Sequence, residues 1–201
     1  MSDRDPAQEA AALRQRLEER QREFAVLQRA FTLVTAQNQA MQQLLRVALH
    51  SPSLDEVLDR SVDLMMDLLK AEAGSLFLVD REAGEVYFKV AKGPAGDKVK
   101  GFRIKLEEGI VGWVATENET VAISDVSRDI RFKREISDSV GYDVRSILAV
   151  PFRLRGQVVG VFEILNKEGG DVFLADDRDM IMTLSNYLGL LLQLAGHERV
   201  E

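Results

Sequence analysis

The sequence contains no cysteine. That absence excludes disulfides, cysteine-ligated zinc, thiol redox sensing and cysteine nucleophiles together. Histidine is scarce: His50 and His197 are the only two, both near the ends of expected helices. A metal site built from them would need carboxylates that no spacing supplies, so they read as solvated terminal side chains. A Ser-His-Asp arrangement would need a histidine inside the globular region, where there is none. No catalytic machinery is visible, and the chain reads as a non-enzyme with no metal. No apolar run reaches membrane-spanning length, and Met1 to Gln8 is polar and acidic rather than a secretory signal. The expected setting is the cytoplasm, without a membrane partner. Positive charge is in deficit, with 26 Lys and Arg against 33 Asp and Glu and a net charge of −7. Nucleic-acid binding needs a basic face to displace counterions, so no nucleic-acid partner is expected. A small anionic ligand stays open, because a local pocket can oppose the global charge.

Within 201 residues, 46% are apolar, ample for a packed core. The first fifty residues lack glycine and hold one proline, Pro6. They are rich in Ala, Gln, Arg, Glu and Leu, all good helix formers. One helix is expected from Pro6, a suitable first-turn residue, to His50. Its apolar positions follow a heptad. Leu13, Arg20, Leu27, Val34, Met41 and Ala48 fall at one core position; Leu17, Phe24, Phe31, Asn38 and Leu45 fall at the other. That seven-residue repeat is the pattern of a left-handed coiled coil, and an Asn within the seam fixes register and strand number at some cost in stability. The flanks carry Gln21, Gln28, Gln37 and Gln42 rather than charges, so the simplest partner is a second copy, giving a parallel homodimer. The other reading is an amphipathic helix packed on its own domain, which needs no strict heptad.

Pro52 ends this helix, and Ser53 with Glu56 has capping-box form for a second, to about Ala71. From Gly74 the period changes to that of strands. Ser75–Val79 and Val86–Val90 form a hairpin. A glycine-rich loop spans Lys92 to Gly101, followed by a half-buried strand at Phe102, Ile104 and Leu106. A short helix is expected at Gly109–Ala115 and a strand at Val121–Ser124. Phe132, Ile136 and Val140 read as one short helix. Strands at Ile147–Phe152 and Val158–Leu165 then precede a helix over Ala175–Ala195.

Gly109-Ile-Val-Gly-Trp-Val-Ala115, Ile123-Ser-Asp-Val126, Arg131-Phe132, Gly141-Tyr142, Arg145-Ser-Ile-Leu148, Val150-Pro151, Gly160-Val161 and Asn166-Lys167 occur in that order. The ordered set resembles the GAF domains of cyclic-nucleotide phosphodiesterases and of bacterial sensors, over about residues 54 to 195. The resemblance implies an α+β fold: about six antiparallel strands flanked by helices, a small-molecule pocket on one side, and frequent dimerisation through the first and last helices. It also implies a sensory role in signalling, in which a ligand or partner shifts those helices against an attached effector.

Cyclic-nucleotide-binding members carry Asn-Lys, a gap, Phe, three residues, then Asp-Glu. Here Asn166, Lys167, Phe173 and Asp177 match, while Arg178 stands at the Glu position. The resemblance makes these a structural tether, with Lys167 and Asp177 as an ion pair between last strand and last helix. It implies cyclic AMP or cyclic GMP as ligand. It places Ser75 and Glu163 against the base, Gly109, Ile110 and Val111 against a phosphate, and Asp138, Val140 and Val144 in a segment where the family tends to have an acid and two threonines. Val140 and Val144 offer no hydroxyl to a purine edge, which keeps a less polar ligand open as an alternative. Ser75 reads equally as a packing residue, and Glu163 as solvent-facing. The division expected is 1–50 dimerisation helix, 51–196 sensory domain and 197–201 charged tail. A ligand-free dimerisation scaffold and a sensor half whose effector lies beyond Glu201 remain as alternatives.

Overall fold

A computed structural model describes residues 6–197. Residues 1–5 of the expected first segment and 198–201 of the expected tail lie outside the described residues. The backbone divides after Gln39 into two compact units.

Helix α1 spans Pro6–His50 as its composition predicts. In the first unit it carries the heptad residues Leu13, Leu17, Phe24, Leu27, Phe31 and Val34 at 55–74% exposure. Among the described residues of that unit nothing covers this stripe. From Ala40, where the second unit begins, the helix changes role. Ala40 and Leu44 are buried, while the neighbouring seam residues Met41 and Leu45 are half-buried and Asn38 is exposed. Its last turns thus contribute an i, i+4 pair to the core of the second unit.

Helix α2 (Leu54–Leu69) starts where Ser53 Oγ accepts from Glu56 N at 3.2 Å. It stops at Lys70, which adopts the left-handed conformation at φ 51°. Strand β1 (Ala71–Asp80) therefore begins four residues before the expected Ser75. Strands β2 (Glu85–Lys92), β3 (Arg103–Lys105), β4 (Val121–Ile123), β5 (Ile147–Leu154) and β6 (Gln157–Lys167) complete one six-stranded antiparallel sheet, ordered β3-β2-β1-β6-β5-β4. Helices α3 (Gly109–Glu117), α4 (Glu135–Val140) and α5 (Ala175–Leu194) complete the fold. Phe132, expected within the short helix, precedes α4; its N–H bonds to Asp129 O at 3.1 Å in a turn.

The two sheet faces follow strand alternation. Leu76, Leu78, Leu148, Val150, Phe152, Phe162 and Ile164 are buried on the face covered by α2 and α5. Two glycines permit that cover. A Cβ at Gly74 would stand 2.7 Å from Met66 Cγ, and one at Gly189 would stand 2.0 Å from Arg153 O, so α2 and α5 lie directly on the sheet. On the other face Phe77, Ile147, Ala149 and Val161 pack with Ile110, Val111 and Val114 of α3. This second face stays partly open and carries the site. Among the described residues no helix is long and apolar enough to cross a membrane.

Candidate functional site

A cavity of about 360 Å³ lies on this second face. Its floor is the sheet: Ala73, Ser75 and Phe77 of β1, Ile147 of β5, and Glu163 and Leu165 of β6. The start of α3, the β2–β3 segment and α4 with the turn after it make the walls. Lys98 Nζ donates to Val140 O at 3.2 Å, joining two walls.

Glu163 sits at the middle of the floor, in register with Ser75 on one side and Ala149 on the other. Its strand neighbours Phe162 and Ile164 turn to the helix-covered face, so Glu163 turns inward by alternation. Burial pushes its carboxyl up to about 7. Desolvation disfavours the charged form, and among the described residues no cation stands close enough to offset it. Lys133 is exposed at the rim, and the two other basic side chains that line the cavity are engaged elsewhere. Lys92 Nζ contacts Asp59 at 2.6 Å and Asp63 at 3.2 Å. Arg103 pairs with Asp80 and Glu85.

Of the residues expected at a ligand, Ser75, Gly109, Ile110, Val111, Val140, Val144 and Glu163 all line the cavity. Asp138 does not. It is exposed on α4, and Ile136, Ser137 and Val140 of the same helix face inward instead. Ser75 is buried. Gly109 holds φ +71° at the start of α3, and the Glu108 side chain makes no capping bond. The first N–H groups of that helix thus lack a side-chain acceptor there. Phe88 and Tyr142, which no sequence pattern marks as ligand contacts, also line the cavity. Burial, then the Glu72 carboxylate, pushes the Tyr142 phenol up to about 12, so it stays neutral.

The tether residues meet at the C-terminal end of the central strand β6. Asn166 is 1% exposed, with φ +52°. Its Oδ1 accepts from Arg145 N at 2.8 Å and Ser146 N at 3.2 Å; its Nδ2 donates to Asp143 O at 2.8 Å and to Tyr142 Oη at 3.1 Å. It therefore fixes the segment that carries Tyr142 and Val144 into the cavity wall. Next along the chain, Lys167 Nζ contacts Asp177 Oδ2 at 2.8 Å. That oxygen also accepts from Leu174 N at 2.8 Å at the start of α5. Phe173 is buried beside them. The ion pair is 21% and 15% exposed on its two sides, so removing one partner should cost about 3 kcal/mol rather than the 1 or less of a surface pair. A double-mutant cycle with Lys167→Met and Asp177→Leu should give a coupling above about 1 kcal/mol; coupling near zero would make the contact incidental.

Compared with known families, residues 53–192 match the GAF domain. A probable 3′,5′-cyclic phosphodiesterase of Caenorhabditis elegans is 32% identical over 152 residues, which is 71% of this chain and 21% of that protein. The chain thus spans about a fifth of the length of this curated relative. Among solved structures, the GAF domain of a phosphoenolpyruvate-protein phosphotransferase from Coxiella burnetii superposes with a TM-score of 0.71 at 23% identity, covering 81% of this chain and 95% of that one. The corresponding Acinetobacter domain gives 0.67 at 26% identity, over 80% and 94%. A free methionine-R-sulfoxide reductase from Neisseria meningitidis, in complex with its substrate, gives 0.67 at 18% identity, over 80% and 90%. The fold therefore serves both regulatory domains and enzymes.

Proposed function

This chain belongs to the GAF domain family, and on that premise we propose that it is a dimeric, non-enzymatic sensory module whose cavity binds a small signalling molecule. The observation that carries this reading is the cavity: about 360 Å³ of unfilled space over a sheet floor with converging polar groups, the form of a ligand site rather than of a collapsed core. The name of the nematode relative makes cyclic AMP and cyclic GMP the first ligands to test. No cysteine occurs in the chain and no histidine lines the cavity, which supports binding over catalysis. The exposed heptad stripe on α1 supports a parallel homodimer, with α1 and α5 as the elements that would pass a signal to an effector. A cytoplasmic setting fits the cysteine-free sequence.

Native mass spectrometry of protein freshly isolated from its host should show two chains and a retained small molecule. Added ligand at about a hundred times its dissociation constant should stabilise the fold by roughly 2.7 kcal/mol, a melting shift on the order of 5–10 °C. A monomer at high micromolar concentration would end the dimer reading. A protein that retains nothing and ignores both cyclic nucleotides would favour the ligand-free scaffold.

A further inference from the structure

Two surface patches of opposite charge flank one end of the sheet. Strands β4 and β6 both run toward that end, since each is antiparallel to β5. Arg145 ties together the segments that follow them. Its carbonyl accepts from Val126 N at 3.0 Å, and its N–H donates to Asn166 Oδ1 at 2.8 Å.

The first patch follows β4. Ile130 is 98% exposed, more than any other large apolar side chain among the described residues. The turn that holds it out is built from within. Asp129 accepts from Arg131 N at 3.0 Å, Nε at 2.9 Å and Nη2 at 2.7 Å, and the Arg131 guanidinium lies 4.4 Å from the centre of the Trp113 ring. Ile130 is therefore a fixed knob with little backbone freedom to lose on docking. From Arg128 to Arg134 there are four cations and one acid, and Arg128, Lys133 and Arg134 are exposed. The second patch follows β6. Val172 and Leu174 are 38% and 52% exposed on either side of the buried Phe173. From Glu168 to Asp179 there are five acids and one cation, and Glu168 and Asp171 are exposed.

A chain of net charge −7 repels its own copies unless opposite patches meet. We propose that this end of the sheet is a self-docking surface, on which the Ile130 knob and its cations seat against Val172, Leu174 and their acids in a second copy. Both patches lie at the same end, so a two-fold axis can pair knob with seat in both copies at once. Charge fixes the pairing, because knob against knob or seat against seat would oppose like charges. The contact uses residues of the second unit alone and is separate from the exposed heptad stripe of α1.

The absence of cysteine allows a clean test. Full-length Ile130→Cys and Leu174→Cys, each carrying a single thiol, are mixed, given time to exchange subunits, and treated with a short bismaleimide. The mixture should yield cross-linked pairs at least about tenfold faster than either variant alone, because docking raises the effective concentration of one thiol at the other. Raising the salt to about 0.5 M should remove most of that advantage, and so should Lys133→Glu with Arg134→Glu in the Ile130→Cys chain. All four side chains are exposed, and unaltered melting curves check that each variant keeps the fold. Equal rates in the mixture and in either variant alone would overturn the proposal. So would Ile130-dependent flotation of the intact protein with phosphatidylglycerol vesicles, which would assign the knob to an anionic lipid surface instead.

Discussion

At pH 8, Glu163→Gln should melt about 4–8 °C above the unaltered protein, and most of that gain should vanish by pH 4.5. In the folded chain the carboxyl keeps its proton up to about pH 7, against a value of 4.5 without the fold. Between those two values the folded state holds a proton that the unfolded state has released, so raising the pH removes stability. Above pH 7 both states are ionised and the full penalty applies; below 4.5 both are protonated and none remains. A shift of this size corresponds to roughly 3 kcal/mol, and partial hydration of the cavity reduces it to about 2. In a domain of this length each kcal/mol moves the melting point about 2–4 °C. The amide keeps the shape of the side chain and removes the charge, so the pH dependence of the difference reports the carboxylate alone. Paired melting curves from pH 4.5 to 8 check this, and a difference that ignores pH would show that Glu163 is not desolvated. Such a gain would be a stability–function trade-off, in which a costly group is kept for what it binds.

The second large effect lies at the end of β6. Asn166→Ala should destabilise the domain by about 4 kcal/mol, lowering the melting point on the order of 10 °C. Alanine leaves the N–H groups of Arg145 and Ser146, now bonded at 2.8 and 3.2 Å, without their acceptor. Each such loss costs roughly 1–3 kcal/mol when buried. Alanine also has to hold φ +52°, where a Cβ adds about 1 kcal/mol. Asn166→Gly separates the two contributions. It accepts the backbone conformation and loses the same hydrogen bonds, so it should recover only about 1 kcal/mol of the deficit. Denaturant titration of the three proteins measures both steps. A loss under 1 kcal/mol for alanine would mean that solvent replaces the network.

What the residues dictated alone was the order and kind of the elements. Glycine-free helix formers gave α1, and Pro52, Ser53 and Gly74 marked where one element had to end and the next begin. The order of short motifs was enough to show the family, because local conformation and burial period are written in nearest neighbours. Asn166, Lys167, Phe173 and Asp177 were legible for the same reason: they lie within twelve residues at one junction. The site itself was only half legible. The family pattern pointed to Asp138, and on the six-residue helix α4 it is the neighbouring Ser137 that lines the cavity. Phe88 gave no warning, since one inward aromatic in a hairpin resembles any core residue. Glu163 stands in a run of apolar residues from Val158 to Leu165, a sign that its strand is covered on both faces. The run could not say whether the carboxylate meets a cation. That was decided only when the chain closed and Lys92 and Arg103 turned to other acids. Pairing across a sheet and the space left above it depend on residues tens of positions apart, and no local pattern encodes which charge finds a partner.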